Sequence, residues 1–443
     1  MVPSRTVFKE DVKQTKRMNP SVCIVTPGYL SSTPRVVKEA DALEEAGMDV
    51  RVVHTWGGLE HKRRHDRSLL PDKNWSADTV RWSPDRLAEW GTYARYTLQH
   101  RLAQWMPTDT WPATRIAEQV QHRVYPALAR RVAEEPADLY IGHYPAGLAA
   151  AARGADRHDA QLGYDAEDFH VGQQPDNQSR IERTDFIERR YLDRCAHVTA
   201  ASEGIAAALA DRYDIDPPLV VHNMFPWAER ETLDGETKDR DGEALSVYWF
   251  SQAVGLNRGL QDAIRAIGLL DGPVQLHLRG ALSEEVERTL MSMAEENDVD
   301  EQLHFHPQVP PDELLSRTAE HDVGLTLEHG KTPNRALCVT NKLFHYPLAG
   351  LAVAATDVPG QRRMLEDHAA FGGLYEPGNP EGLASVLRRW RNCEALEEAK
   401  SRALETARTK WNWERESQKL VDQVIRVLDS ERSASLEGSK GLG

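Results

Sequence analysis

Two cationic side chains stand where the chain could bind a diphosphate. The apolar run Ser246–Phe250 leads into a glycine-containing turn, and Arg258 directly precedes Gly259 at the start of a predicted helix. Lys342 follows Asn341 at the start of another predicted helix. Arginine can donate to two phosphate oxygens at once, and the free N–H groups of a helix N-terminus add to that attraction. These residues predict an anion site.

Such a site needs parallel strands whose carboxyl ends meet, and the sequence predicts two series of them. The first series is Ser21–Thr26, Val50–His54, Asp138–Gly142, Ala160–Tyr164, His197–Ala200 and Leu219–Val221. The second is Ser246–Phe250, Val274–Leu278, Leu303–Phe305, Val323–Leu327 and Ala352–Ala355. Helix-period segments alternate with the strands, which is typical of α/β folds. We predict two doubly wound, Rossmann-like domains that face each other across a cleft, where ligands bind.

The predicted organisation has six parts. They are an N-terminal extension (1–19), a first domain (20–228) with a helical insertion (83–135), a linker (229–244), a second domain (245–412), a C-terminal helix that crosses back to the first domain (413–428) and a disordered low-complexity tail (429–443). The polar composition around residue 235 marks the linker, and the Ser- and Gly-rich composition marks the tail.

The insertion is rich in aromatic residues, which at helical spacing are predicted mainly to form core. They are Trp90, Tyr93, Tyr96, Trp105, Trp111 and Tyr125. An alternative is a helical hairpin that meets a lipid or sugar acceptor. The basic run Lys62–Arg67 lies upstream; we predict a solvated loop there, with attraction of anionic headgroups as the alternative.

Composition narrows the class of partner. The 443 residues carry a net charge of −15, which argues against nucleic acid binding along the surface. The chain lacks an apolar stretch of spanning length and a signal-like N-terminus, and its four cysteines are scattered. We therefore expect a cytoplasmic protein. His61 with His65, and His304 with His306, are interpreted as surface or strand histidines rather than metal ligands.

The order of several segments resembles the GT-B glycosyltransferases of retaining family 4, over about residues 20–428. The matching segments are SVCIVTPGYLSSTPRVVKEADALEEAG, DLYIGHYPAGLAA, LGYDAEDFH, AHVTAASEGIAAALADRY, VVHNMFP, NRGLQDAIRAI, TNKLFHYPLAGLAVAATDVPG, GGLYEPGNPEGLASVL and KWNWERESQKL. The resemblance implies transfer of a sugar from a nucleotide-sugar donor.

The resemblance also implies roles for single residues. Arg258, with Gly259, matches the basic residue that holds the donor diphosphate, and Lys342 with Asn341 matches the NK pair on the nucleotide side. In the first domain, the matching residues are Gly28 of the first loop, His143 after the fourth strand and Asn223 of the turn before the linker. Charge on the diphosphate would be stabilised by Arg258 and Lys342, so that no metal and no separate cofactor is required.

Two departures from the family pattern stand out. The two glutamates common in the family are replaced by Leu337 and His345, although a ring nitrogen of His345 could bond a ribose hydroxyl. The Asp-Ala-His-Glu element reads Asp165-Ala166-Glu167-Asp168, so Glu167 either bonds a sugar hydroxyl or caps a turn. Asp165 and Asp168 are expected near the acceptor.

The sequence therefore predicts a glycosyltransferase of the hexosyltransferase type. Its acceptor would be a glycan, a lipid-linked or a small molecule, in a setting such as polysaccharide biosynthesis, with attachment to the inner membrane face as an option. Two alternatives stay open: a catalytically silent GT-B subunit, motivated by the missing glutamates, and a GT-B nucleotide-sugar epimerase.

Overall fold

A computed structural model describes residues 19–106, 116–238 and 244–440, with side chains up to residue 430. The N-terminal domain is built on a parallel seven-stranded sheet. Its strands are β1 (Ser21–Val25), β2 (Asp49–Trp56), β3 (Ser76–Arg81), β4 (Leu139–His143), β5 (Gln161–Ala166), β6 (His197–Ala200) and β7 (Leu219–Val220). Its helices are α1 (Pro34–Glu45), α2 (Glu60–Leu69), α3 (Leu87–Ala103), α4 (Ile116–Gln121), α5 (Tyr125–Val132), α6 (Tyr144–His158), α7 (Gln178–Tyr191) and α8 (Glu203–Tyr213).

The C-terminal domain is built on a parallel six-stranded sheet. Its strands are β8 (Leu245–Ala253), β9 (Val274–Ala281), β10 (Leu303–His306), β11 (Val323–Thr326), β12 (Ala352–Thr356) and β13 (Gly372–Tyr375). Its helices are α9 (Leu260–Gly268), α10 (Glu284–Glu295), α11 (Pro311–Ala319), α12 (Pro333–Leu337), α13 (Lys342–Ala349), α14 (Pro359–Leu365), α15 (Pro380–Arg389) and α16 (Cys393–Thr409), followed by α17 (Trp413–Lys440).

Both sheets reverse their strand order beside the first strand of the domain. The orders are β3-β2-β1-β4-β5-β6-β7 and β10-β9-β8-β11-β12-β13, so the reversal lies between β1 and β4 and between β8 and β11. Loops that leave the carboxyl ends at such a reversal enclose the usual ligand crevice of open α/β sheets. The predicted fold class, two doubly wound Rossmann-like domains, is confirmed.

The last helix connects the two domains. The Trp413 amide donates to the carbonyl of Phe225 at 2.9 Å, and Leu420 and Val424 of α17 are buried in a cluster with Val36 of α1. The helix continues to Lys440, past residue 428, so the low-complexity composition of the tail does not end it there. Residues 239–243 of the predicted linker and nearly all of the N-terminal extension lie outside the described residues.

The basic run upstream of the insertion is helical, not the solvated loop predicted from sequence. It lies in α2, where Arg63 is 1% exposed and its guanidinium donates to Glu89 of α3. Asp66 is also buried and accepts from the indole of Trp56 at 2.8 Å. The run is basic in sequence, but the guanidinium of Arg63 at its centre is paired with Glu89 inside the protein.

The aromatic residues of the insertion divide between core and surface. Tyr96 and Tyr125 are buried as predicted, whereas Trp90 is 58% exposed and Trp105 is 87% exposed. Trp111 lies outside the described residues. Within the described part of the chain, every helix is too short or too polar to cross a membrane.

Candidate functional site

The turn after β8 carries the first predicted cation. Gly259 has a φ of 76°, a left-handed conformation that favours glycine, and a Cβ there would lie 2.8 Å from the Leu327 carbonyl oxygen. Glycine therefore lets this turn pack against the residue that follows β11. Arg258 is half-buried in the turn and forms no hydrogen bond or ion pair with any residue that the structure describes.

Lys342 lies close to Arg258 at the start of α13. Its side chain is 13% exposed, and a carboxylate oxygen of Glu328 lies 3.9 Å from its ammonium nitrogen. Burial lowers the pKa of Lys342; Glu328 opposes this, while Arg258 and Arg335 lower the pKa further. Three cations thus share one loosely placed carboxylate, so this end of the sheet has an excess of positive charge. The structure brings the two residues predicted to hold the diphosphate together.

The corresponding end of the N-terminal sheet is charged but internally neutralised. Asp165, at the end of β5, is 2% exposed and accepts two hydrogen bonds from Nε and Nη2 of Arg35 on α1, at 2.9 and 2.8 Å. Thr199 donates to the same carboxylate at 2.8 Å. Burial raises the pKa of Asp165, but Arg35 and His143 outweigh burial and hold it below its usual value. Asp165 was predicted to bind substrate; instead its oxygens are occupied by protein donors.

His143 forms the centre of this buried network. Its Nε2 lies 2.5 Å from Glu39 and its Nδ1 lies 3.0 Å from Glu167. Burial alone would lower the pKa of His143, but the carboxylates of Glu39 and Glu167 raise it to about 10, so both ring nitrogens donate. His143 is 0% exposed and was predicted to act in catalysis. Its position makes it a residue that holds Glu167, whose side chain remains 17% exposed.

Three side chains of this network have the spacing of a metal site. One ligand atom each from Glu39, His143 and Asp165 lies within 4.8 Å of the others. Arg35 already bonds both oxygens of Asp165, and a protonated imidazole has no lone pair for a metal. The chain's own cations therefore occupy the positions that a metal ion would take. That the reaction proceeds without metal stays a prediction.

The two domains touch through the segment around α12. Asn334 accepts from the Phe169 amide at 2.7 Å and donates to Asp168 at 2.8 Å. A Cβ on Gly172 would lie 2.9 Å from Pro333, so the close approach requires glycine. Asp168 was predicted to contact substrate. In the structure, the side chains of Asn334 and Gln173 donate hydrogen bonds to its carboxylate.

A second contact joins the domains beside the cation cluster. Asn223 donates from its amide nitrogen to the side-chain oxygen of Asn341 at 3.2 Å, and it accepts from the ammonium of Lys38 at 2.6 Å. Asn223 and Asn341 were both predicted to bind substrate. The structure places them next to Lys342, where they link the turn before the linker to the start of α13.

The remaining predicted residues have different surroundings. His345 is 3% exposed, and its Nε2 lies 3.1 Å from the Thr318 hydroxyl of α11, so the predicted bond to a ribose hydroxyl has no support. Burial lowers the pKa of His345 to about 4. Gly28 follows β1, and a Cβ there would meet only ordinary contacts, at 3.5 Å or more. The protein's own packing therefore does not require glycine at this position, and a role for Gly28 beside a ligand stays a prediction.

The sequence did not indicate four residues that shape the site. Arg35 and Glu39 lie four residues apart on α1, a spacing that puts both on one helix face toward the network. Arg335 and Glu328 lie in the segment that follows β11, where a helix of five residues gives too little periodicity to detect. Only the proximity of the folded strands shows that these side chains meet Asp165, His143 and Lys342.

Comparison with known proteins gives a likeness in structure only. No family model matches the chain, and no curated protein matches it in sequence. HepE from Anabaena, in complex with UDP and glucose, is 12% identical with a TM-score of 0.63, and the match covers 92% of this chain and 100% of HepE. Sucrose-phosphate synthase from Thermosynechococcus elongatus is 14% identical with a TM-score of 0.65, covering 93% and 100%.

A third similar structure is described as a different class of enzyme. It is a putative UDP-N-acetylglucosamine 2-epimerase from Listeria monocytogenes, 13% identical with a TM-score of 0.56, and the match covers 91% of this chain and 95% of the epimerase. At these identities the likeness concerns the fold. Two parallel-sheet domains, matched along nearly their whole length, show that this chain has the GT-B fold.

Proposed function

We propose that this protein is a glycosyltransferase that uses a nucleotide-sugar donor. The observation that carries the proposal is the cluster of Arg258, Lys342 and Arg335 at the carboxyl end of the C-terminal sheet, where Glu328 is the one carboxylate among the described residues that acts on Lys342. Preorganised cations in a partly buried site stabilise charge that develops on a leaving group. A diphosphate is the leaving group that fits such a cluster, and HepE, which has the same fold, binds UDP.

In the proposed reaction, the bond between the sugar's anomeric carbon and the diphosphate oxygen breaks, and its electron pair stays on the diphosphate. The acceptor oxygen bonds to the anomeric carbon and transfers its proton to the departing diphosphate oxygen. Arg258 and Lys342 would hold the departing diphosphate without a metal ion. Glu167, fixed by the imidazolium of His143, would bond a hydroxyl of the sugar or of the acceptor from the opposite domain.

The finer assignments are proposals of the same kind. Segment order favours family 4 with retention of configuration, a hexosyl donor and an acceptor that is a glycan, a lipid-linked or a small molecule. A role in polysaccharide biosynthesis follows from the same resemblance. The contacts from Asn334 to Asp168 and Phe169 close the domains over the site, which excludes water and favours transfer over hydrolysis.

We also propose peripheral attachment to an anionic membrane, through α3 rather than through Lys62–Arg67. Leu87 is 98% exposed, and Trp90, Leu98 and Leu102 of the helix and Trp105 just after its end are also exposed. The neighbouring Arg95 and Arg101 have no ion-pair partner among the described residues. Apolar side chains flanked by cations suit the interface of a bilayer with anionic lipid.

Two other functions have a specific observation each. The likeness to the putative epimerase from Listeria favours a nucleotide-sugar epimerase. Leu337, which is partly buried, and His345, which is buried, favour a silent subunit, because those residues do not supply the carboxylates common in the family.

One experiment separates these functions. The purified protein is incubated with a panel of nucleotide sugars, with and without acceptors, and products are followed by mass spectrometry. A transferase consumes donor in the presence of acceptor, and Arg258→Ala abolishes this. Conversion of donor without acceptor would identify an epimerase, and failure to bind any donor would identify a silent subunit.

A further inference from the structure

The N-terminal domain contains a cavity of 340 Å³ outside the cation cluster. Pro27 of the first loop, Tyr144 at the start of α6, His170, and Arg180 with Arg183 of α7 contribute to its wall. No carboxylate is among its lining residues in the described part of the chain. The charged groups that line the cavity are therefore the guanidinium groups of Arg180 and Arg183, beside apolar residues such as Pro145 and Ala146.

Arg180 and Arg183 lack the partner that guanidinium groups normally have. Arg180 donates to Gln173 at 2.8 Å and Arg183 donates to Ser179 at 2.7 Å, but the Nε atoms of both are buried and unbonded. Neither forms an ion pair with a described residue. On the same helix, Arg189 has Asp185 at 2.9 Å. Burial and the proximity of Arg180 lower the pKa of Arg183, which is the mark of two like charges held together.

Other polar atoms in this wall are also without partners. His170 Nε2 and Gln121 Oε1 are buried and make no hydrogen bond in the described part of the chain. Buried polar groups are nearly always satisfied in native proteins, so several unsatisfied groups around one cavity point to a missing ligand. Because two of these groups are guanidinium groups, the ligand is an anion.

The cavity adjoins the residues that face the proposed acceptor. Pro27 precedes Gly28, and Tyr144 follows His143 with a φ of 61°, a left-handed conformation that is costly for a side chain other than glycine. Burial and the carboxylates of Glu167 and Asp168 raise the pKa of the Tyr144 hydroxyl, so Tyr144 lies near both. A molecule seated in the cavity would extend toward Glu167.

We propose that this cavity binds an anionic group, a phosphate or a carboxylate, on the acceptor. The proposal rests on the proposed glycosyltransferase function and specifies its acceptor as a charged molecule. Arg180 and Arg183 bind the anion, and His170 and Gln121 bond its neighbouring atoms. Recognition of charge here would select the acceptor, while the donor is held by the opposite domain.

The test is calorimetry on the full chain with glucose, glucose 6-phosphate, glucuronate and inorganic phosphate, each in the presence of excess UDP. UDP occupies the donor site, so that a phosphate does not bind there. We expect at least one charged sugar to bind about tenfold or more tightly than glucose, which corresponds to about 1.4 kcal/mol. The phosphate and carboxylate arms distinguish the two kinds of anion. Equal affinity for glucose and both charged sugars would overturn the proposal.

Variants assign the binding to the cavity. Arg180→Gln and Arg183→Gln each should weaken binding of the charged sugar about tenfold, as expected for loss of a charge-assisted hydrogen bond, and leave UDP affinity within about twofold. Arg189→Gln is the matched control on the same helix and should change neither. If Arg183→Gln fails to fold, the proposal is tested by Arg180→Gln and by the preference of the wild type for a charged sugar over glucose.

The two proposals fail in distinguishable ways. If binding of the charged sugar is lost in Arg258→Ala but kept in Arg180→Gln and Arg183→Gln, the anion sits at the donor site and this inference is wrong. If no nucleoside diphosphate binds but binding of the charged sugar still depends on Arg183, the glycosyltransferase function is wrong and the anion cavity stands.

Discussion

Both domains place charged groups at the carboxyl ends of their sheets. The two domains differ in whether those groups have close partners of opposite charge. In the N-terminal domain, Arg35 is matched by Asp165, and His143 is matched by Glu39 and Glu167. In the C-terminal domain, Arg258 has no partner among the described residues and Lys342 has one at 3.9 Å. Charges that are paired with one another hold side chains in position, whereas a cluster of cations without close partners is suited to bind an anion. The difference indicates where the anion of the donor binds.

Removing the unbalanced guanidinium should have the largest effect on function. In Arg258→Ala we expect turnover to fall ~10²–10³-fold, because a preorganised donor to the leaving group is lost. The fold should be unaffected, since Arg258 makes no bond to a described residue. Donor turnover and thermal unfolding measure the two effects. Arg265→Ala, on the exposed side of α9, is the matched control. Near-normal turnover in Arg258→Ala would contradict the conclusion that the cations of the C-terminal domain bind the donor diphosphate.

Removing a member of the balanced network should instead affect stability. In His143→Gln the carboxylate of Glu39 is left buried without a cation, and breaking such a pair costs about 3–5 kcal/mol in the free energy of unfolding. Urea denaturation measures this. A variant as stable as the wild type would show that the network does not hold the fold.

The same residue predicts a pH dependence. The pKa of His143 is about 10 in the folded protein, above the value of about 6.5 in the unfolded chain, so the folded state binds more protons between them. Its contribution to stability is full below about pH 6.5 and is lost as pH rises toward 10. The free energy of unfolding is measured against pH for the wild type and for His143→Gln. Subtracting the second profile from the first removes the contributions of the other titratable groups. A difference that stays constant from pH 6.5 to 10 would contradict the assignment.

The sequence predicted the fold for reasons that are local. Strand β1 is a buried apolar run followed by Pro27-Gly28, and each domain repeats that pattern, so the parallel sheets follow from periodicity. Edge strands were harder. Ser76–Arg81 is half-exposed and lacks an apolar run, and Gly372–Tyr375 begins with two glycines, so neither was predicted as a strand.

The site was only partly predictable. The local sequence predicted that Arg258 and Lys342 stand at helix starts, and that they bind a diphosphate stays a prediction. The surroundings of His143, Asp165 and His345 could not be predicted, because their partners Glu39, Arg35 and Thr318 are distant in sequence. Whether a carboxylate or imidazole faces a ligand or another side chain depends on contacts that the fold creates.

Loss of the contact that Asn334 makes between the domains should have a smaller effect than loss of Arg258 or His143. Asn334→Ala removes the bonds to Asp168 and to the Phe169 amide, and net hydrogen-bond contributions of about 1 kcal/mol each are expected. We expect a larger radius of gyration by small-angle X-ray scattering and weaker donor affinity. An unchanged radius and affinity would show that this contact does not hold the two charged regions together.

The smallest effect on the fold is expected on the exposed side of α3. Leu87→Ser with Trp105→Ser should change the free energy of unfolding by less than about 0.5 kcal/mol. Binding to vesicles with anionic phospholipid, measured by flotation, should be lost. Leu269→Ser, exposed on the other domain, is the control. Equal flotation of wild type and double variant would remove the membrane proposal.

The central claim is that paired cations of the C-terminal domain hold a diphosphate. Calorimetry with nucleosides, nucleoside monophosphates and nucleoside diphosphates of uridine, adenosine and guanosine tests it most directly, in the wild type and in Lys342→Met. For the base that binds, the diphosphate should bind about tenfold or more tightly than the monophosphate, and Lys342→Met should reduce that preference. Equal affinity of the wild type for nucleoside and diphosphate would contradict the claim.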